Sequence, residues 1–251
     1  MKHKPIPFND DFLNIPICHR GLHSKTVAEN SMEEFKLAKQ NGFAIEIDIH
    51  KLSDGKFAVF HDKNLKRVAG SDVIIESLTS NELENYNLWD GQKIPLLDDV
   101  LKLVNGEVPL LIELKPEDGF DKKDLPALFE MLDAYNHYDM VAIQSFNPFI
   151  IKNVKKFRPS VVAGILSSYN LKNIKGIKRY VSKSLMLFNY MKADFISYDI
   201  NYLPNKYVSK KKKKGINILA WVVNTKEKLE LSKTVADNII FENMEIFNEN
   251  E

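Results

Sequence analysis

The chain has 251 residues, 44 % of them apolar and 27 % charged, with Lys+Arg 35 against Asp+Glu 34 for a net charge of +1. This balance excludes a protein built to coat nucleic acid, and the single cysteine, Cys18, excludes a disulfide framework and a Cys-rich zinc site. No run reaches the ~18 apolar residues of a membrane span and the first residues carry no apolar signal-peptide core, so a soluble cytoplasmic protein without membrane association is expected. Residues 1–251 read as one domain, of about the length typical of an α/β barrel.

Eight short apolar segments recur along the chain: Ile15–Cys18, Phe43–Ile49, Pro109–Leu114, Met140–Ser145, Val161–Leu166, Asp194–Tyr198, Ile216–Val223 and Asn238–Phe241. They are rich in Ile, Val and Leu, as strands buried on both faces should be. Helical patterns lie between them. Ser31-Met-Glu-Glu34 reads as a capping box opening a helix that Gly42 closes. Further helices are expected at Leu97–Val104, Asp124–Asn136, from Pro148 onward, and at Ile177–Met191, Pro204–Lys213 and Lys226–Ser232. Alternation of strand and helix implies a parallel sheet, and eight repeats suit a (β/α)8 TIM barrel.

One stretch breaks the alternation. Only seven residues, including Ser53-Asp54-Gly55, separate Ile49 from Phe57. A parallel crossover needs about a dozen residues, so Phe57–Asp62 should return antiparallel as a hairpin. A turn centred on Asp54-Gly55 would set His61 opposite Asp48. Residues from about 50 to 95 then form a small hairpin-containing insertion above the barrel rim, after the second strand.

The chemistry-bearing residues cluster at strand ends. Glu46 and Asp48 lie two apart in an apolar strand and so share a face. Buried carboxylates are costly unless paired or bound to a cation. Glu113 and Lys115 repeat the pattern at the C-terminal end of the third parallel strand, the end where barrel active sites sit. Three carboxylates without cysteine describe an oxygen-ligand site for Mg²⁺ or Ca²⁺ and fit zinc less well. His19 ends the first strand and His61 ends the hairpin; two imidazoles suit a general acid and a general base. Arg20 and Lys115 can neutralise a phosphate. Trp221 ends an apolar strand, where it packs the core or lines a substrate pocket. Among the other histidines, His3 is expected in a mobile terminus and His137 at a surface helix end, while His23 and His50 lie near the rim. Cys18 reads as inert core. The Lys210–Lys214 run before Gly215 reads as a helix's last turn with its cap, with an anionic membrane as the weaker alternative.

These segments together resemble the glycerophosphodiester phosphodiesterase family: His19-Arg-Gly21, Glu29-Asn-Ser31, Glu46-Ile-Asp48, Asp54-Gly55, Val59-Phe-His-Asp62, Ile94-Pro95, Ile112-Glu-Leu-Lys115, Gln144-Ser-Phe146 and Trp221-Val-Val-Asn224. They follow the family's order across nearly the whole chain. The resemblance implies a (β/α)8 barrel with an insertion after the second strand. It also implies a divalent cation on Glu46, Asp48 and Glu113, and His19 and His61 as the acid–base pair. The implied reaction is hydrolysis of small glycerophosphodiesters to glycerol 3-phosphate and an alcohol. The chain departs from the pattern at Ala28 and Ser31, where the family has proline and threonine, and at Asn238-Ile-Ile-Phe-Glu242, where it has Gly-Ile-Ile-Thr-Asp. The last change is expected to alter one wall of the pocket. Competing readings are a lysophospholipase D-like or glycerophosphate-polymer hydrolase and a non-catalytic barrel that binds phosphodiesters. The last is disfavoured by retention of both histidines and all three carboxylates.

Overall fold

The computed structural model describes residues 3–22, 24–115, 120–169 and 185–248. Eight parallel strands close into a barrel: β1 (Ile17–His19), β2 (Ala44–Lys51), β4 (Leu110–Leu114), β5 (Val141–Ser145), β6 (Val162–Ser167), β7 (Phe195–Asp199), β8 (Asn217–Val223) and β9 (Asn238–Phe241). They follow one another around the ring, and β1 pairs with both β2 and β9 to close it. Each apolar segment of the sequence becomes one of these strands. The remaining strand, β3 (Phe57–Val59), adds antiparallel to β2.

Strand alternation explains why the segments look apolar throughout. One set of side chains, including Cys18, Ile45, Ile47, Ile112, Ile143, Ile196 and Ile218, faces the surrounding helices in the main core. The other set points into the barrel, where Ile17, Ala44, Leu111, Ala142, Phe195, Leu219 and Ile240 form a dry lower layer. Phe195 fills this layer because Gly164 makes room for it: a Cβ at Gly164 would lie 2.4 Å from the Phe195 ring. Helix α1 (Asp10–Asn14) closes the bottom with Phe8 and Phe12 stacked at 5.0 Å. Asn238 ties it down by donating to the carbonyls of Phe12 and Ile15 at 2.8 and 2.7 Å. His3 belongs to this plug, with Nε2 3.2 Å from Asp194 Oδ1, and is not in a loose terminus as the sequence suggested.

Helix α2 (Met32–Gln40) starts at Ser31, whose Oγ accepts from Glu34 N–H at 3.3 Å. The reciprocal half of the expected capping box does not form. Glu34 turns inward beneath the helix, its Cβ against Gly21, and neither carboxylate oxygen has a hydrogen-bond partner. Gln92 Nε2 instead donates to Ser31 Oγ at 3.3 Å. The helix expected at Ile177–Met191 falls largely outside the described residues; Phe188–Met191 is helical. Asn205 caps the helix Lys206–Lys212, which holds much of the lysine run, and Gly215 takes a left-handed φ of +77° beyond it.

The insertion has a core of its own, built on Leu52, Phe60, Leu65, Ile75, Leu83 and Ile94. Its hairpin register differs from the expected one by one residue: Ile49 pairs with Val59, and Phe60 N–H donates to Asp48 O. The cause is a three-residue loop, Ser53-Asp54-Gly55, closed by Gly55 N–H on Leu52 O at 3.0 Å and Leu52 N–H on Lys56 O at 2.8 Å. Gly55 adopts φ +90°, the left-handed conformation that admits the extra residue. Among the described residues no helix is long and apolar enough to cross a membrane.

Candidate active site

The site begins one pleat above the dry layer. Two residues on from Ile17, Ala44, Leu111, Ala142, Phe195 and Leu219 stand His19, Glu46, Glu113, Gln144, Ser197 and Trp221. A rise of about 7 Å along six strands thus converts a sealed apolar interior into a polar floor. The strands' C-terminal ends open there into a cavity of about 230 Å³. A larger groove of about 520 Å³ lies on the outer surface, between the helices Leu97–Val104 and Leu125–Tyr135, away from these strand ends.

The turn after β1 positions the Arg20 side chain and, through its backbone, Glu46. Arg20 has φ +59°, a left-handed strain of about 1–3 kcal/mol for a residue with a side chain. Gly21 follows at φ +86°, where a Cβ would meet the Glu34 Cβ at 2.7 Å. This turn aims the Arg20 backbone N–H at Glu46 Oε2, 3.1 Å away. The guanidinium then reaches Glu29 Oε1 at 2.8 Å and lies 3.3 Å from Asp48 Oδ2.

Glu46, Asp48 and Glu113 are all buried, and each offers an oxygen within 4.8 Å of the others. Asn30 Nδ2 donates to Asp48 Oδ2 at 3.0 Å. Lys115 Nζ donates to Glu113 Oε1 at 2.8 Å and lies 2.7 Å from Asp48 Oδ1, which accepts no well-directed hydrogen bond. Burial opposes the charge on Asp48, but Lys115, Arg20 and His61 outweigh it and hold its pKa below the usual carboxylate range. Glu46 is the reverse case: burial, then Asp48 and Glu113, push it well above that range. Burial also raises Glu113, against the pull of Lys115. The cluster therefore carries more carboxylate than its own cations neutralise, and a hard divalent ion with oxygen preference fits it.

Both expected histidines line the cavity. Each is gripped at Nδ1 by a carboxylate: His19 by Glu242 Oε1 at 2.5 Å, and His61 by Asp62 Oδ1 at 2.6 Å. Burial lowers the His19 pKa, with Glu242 pulling the other way and Arg20 reinforcing the drop. Burial likewise pushes His61 down to about 4, against Asp48 and helped by Lys115 and Arg20. Despite the changed register, His61 reaches the cluster as the hairpin argument required, because the chain turns just after β3. Arg20 and Lys115 complete the polar side of the cavity. Trp221 and Val222, at an irregularity in the β8–β9 register, stand on the other side with Leu166 and Phe146. The Phe146 and Trp221 rings meet edge to face at 5.6 Å.

Several residues that contact the site were not assigned from sequence. Glu242 was read only as a change in the pocket wall, yet it is the partner of His19. Arg67, on the short helix Lys66–Ala69 of the insertion, grips Glu29 with two nitrogens at 2.6 and 2.8 Å and Asp62 with Nε at 2.6 Å. It links the Arg20 partner to the His61 partner, and Glu29 is held down to about 2 by Arg67 and Arg20 despite its burial. His50 is buried between Glu76, 2.9 Å from its Nδ1, and the His61 carbonyl, 3.2 Å from its Nε2, so it braces the His61 backbone. His23 lies outside the described residues. Cys18 faces the helices, its thiol pushed up by burial and by Glu34, as expected of inert core.

Imidazoles, cations and an under-neutralised carboxylate cluster around one cavity mark a hydrolase for an anionic ester, set on a TIM-like barrel. The model of the glycerophosphoryl diester phosphodiesterase family matches residues 19–246, and the chain belongs to that family; it is a phosphoric diester hydrolase. It is 28 % identical over 244 residues to a glycerophosphodiester phosphodiesterase of Caldanaerobacter subterraneus, covering 91 % of this chain and 94 % of that one. It is 40 % identical over 159 residues to a human lysophospholipase D, covering 58 % of this chain and 49 % of the relative. Its fold superposes with TM-score 0.79 and 25 % identity on an Oleispira antarctica phosphodiesterase solved with the product sn-glycerol-3-phosphate, covering 92 % of this chain and 93 % of that one.

Proposed function

We propose that the enzyme hydrolyses glycerophosphodiesters to glycerol 3-phosphate and an alcohol, with His19 and His61 as its acid–base pair. The observation that carries this reading is the matched pair of carboxylate-held imidazoles on one cavity with Arg20 and Lys115. The product bound by the Oleispira antarctica relative supports the glycerol 3-phosphate half.

A carboxylate on each Nδ1 fixes the ring and assigns proton exchange to Nε2. In this scheme His19, backed by Glu242, takes the proton from the attacking hydroxyl. By resemblance to the family that hydroxyl is the glycerol's own neighbouring group, and water later opens the resulting cyclic phosphate. His61, backed by Asp62, gives a proton to the departing alcohol. Burial and Arg20 lower the pKa of both rings, and Lys115 adds to the drop at His61. A phosphate anion between them offsets those cations, so the acid form of His61 belongs to the substrate complex. Lys115 and Arg20 balance phosphate charge, and the Trp221–Phe146 wall packs against carbon. Glu46, Asp48 and Glu113 would hold Mg²⁺ or Ca²⁺, which supplies further charge neutralisation when bound.

A lysophospholipid substrate is the second reading. It is favoured by the apolar half of the cavity and by the likeness to the human lysophospholipase D. Glycerophosphocholine and lysophosphatidylcholine, assayed after chelation with Mg²⁺ or Ca²⁺ added back, separate the two. The first reading expects turnover of glycerophosphocholine that returns only with metal; full activity in excess chelator would contradict the cation's role. His19→Ala and His61→Ala should each lose roughly 10²–10⁴-fold in kcat. A substrate with a good leaving group should rescue His61→Ala and not His19→Ala. Unchanged rates in both variants would overturn the acid–base assignment.

A further inference from the structure

We infer that Ser197 is a positioning residue for Glu46, acting through the Gln144 side-chain amide. The inference rests on the reading above that Glu46 is a cation ligand, and it adds two residues to which that reading gave no part. Ser197 Oγ donates to Gln144 Oε1 at 2.7 Å, and Gln144 Nε2 donates to Glu46 Oε1 at 3.3 Å. All three side chains are buried. The relay crosses from β7 to β5 over β6, and the β6 residue in register with Gln144 is Gly164, which puts no side chain in the way.

The order of the two bonds matters. An amide presents a donor at one end and an acceptor at the other. With the Ser197 hydroxyl satisfying Oε1, the NH₂ end faces the Glu46 carboxylate; in the opposite flip an amide oxygen would face a carboxylate oxygen. The second Glu46 oxygen is fixed by the Arg20 backbone N–H. Donors on both oxygens set the carboxylate plane and leave its remaining lone pairs for the space shared with Asp48 and Glu113. Without the Ser197 hydroxyl, a buried amide oxygen loses its partner, and the amide has reason to turn away from Glu46. Outer-shell partners of this kind govern ligand orientation, and their loss typically weakens metal affinity about 10–100-fold.

The test is isothermal titration of chelator-treated protein with Mg²⁺ and, separately, Ca²⁺, on wild type, Ser197→Ala, Gln144→Met and the double variant. Melting temperatures in chelator provide a control for folding. Ser197→Ala should weaken cation binding by about 10–100-fold, and Gln144→Met by at least as much. The double variant should be no worse than Gln144→Met, because Ser197 acts only through the amide. Ser197→Thr, which keeps the hydroxyl, should bind close to wild type. It also keeps the proposal open to refutation if Ser197→Ala does not fold, since weakened binding by folded Ser197→Thr would contradict it. A purely structural role would lower the melting temperature and leave affinity alone. Wild-type affinity in Ser197→Ala, or additive losses in the double variant, would overturn the positioning role while leaving the cation site intact. Absence of cation binding by the wild type would overturn both.

Discussion

At the lower end of the barrel Lys155 and Asp194 are buried as a pair, while at the upper end three buried carboxylates share Lys115 and Arg20. Below, Lys155 Nζ donates to Asp194 Oδ2 at 2.7 Å and to the carbonyls of Pro159 and Val161 at 2.9 and 2.8 Å. Asp194 also accepts from the backbone N–H groups of Ala163 and Ile6 at 3.0 and 2.9 Å. Lys155 and Asp194 are thus satisfied within the chain, with His3 Nε2 a further 3.2 Å contact on Asp194 Oδ1. Above, Asp48 Oδ1 lacks a well-directed donor, and Arg20 is divided between Asp48 and Glu29. The difference separates a charge buried to hold the fold from charges buried in wait of a ligand. The first kind is self-sufficient, and the second leaves a deficit that a cation and an anionic substrate complete.

Breaking the lower pair should give the largest effect on stability. Lys155→Met leaves the Asp194 carboxylate buried without its lysine, with only His3 and two backbone N–H groups beside it, an expected loss of about 3–5 kcal/mol, read from urea unfolding. A loss below about 1 kcal/mol would mean that the lower pair is not the closed unit described.

Glu34 sharpens the comparison, since it is a buried carboxyl belonging to neither end. Burial raises its pKa to about 8 from 4.5, with Asp90 and Glu33 adding to the rise. The folded state then holds a proton that the unfolded chain gives up above pH 4.5. The stabilisation is complete below that pH, declines as pH rises and is gone once pH passes the folded value near 8. The span is at most about 5 kcal/mol. Glu34→Gln should flatten that slope between pH 5 and 8 relative to wild type, and parallel slopes would contradict the burial account.

Arg67 gives a smaller effect, confined to the upper end. Arg67→Ala unlinks Glu29 from Asp62 and should lower kcat of order tenfold, the size typical of outer-shell partners, with the urea midpoint nearly unchanged. A shift in KM alone would point to substrate contact instead.

How much of this was legible in sequence follows from which interactions are local. Eight strands were readable because inward and outward faces are both apolar below the site. Glu46, Asp48 and Glu113 stood out because carboxylates interrupt those runs. The short Ile49–Phe57 connection alone placed His61 at the cluster. The hairpin register slipped by one because Gly55 admits a third loop residue, which strand patterning does not encode. Glu34 matched a capping box, but helix packing against Gly21 turned it inward. The His19–Glu242 contact joins the first strand to the end of the last, and only barrel closure brings them together. Arg67 sits half exposed on a short helix, where an arginine carries no signal, and Ser197 resembles any small residue in a strand.

The excess of carboxylate at the upper end is tested most directly by melting wild type and Glu113→Gln in chelator and then with Mg²⁺ or Ca²⁺. The amide oxygen of the variant keeps an acceptor for Lys115 while removing one buried charge. The account predicts that chelated Glu113→Gln melts at or above chelated wild type, and that added cation raises the wild-type melting temperature and not the variant's. A chelated variant melting well below wild type, or a wild type indifferent to both cations, would contradict it.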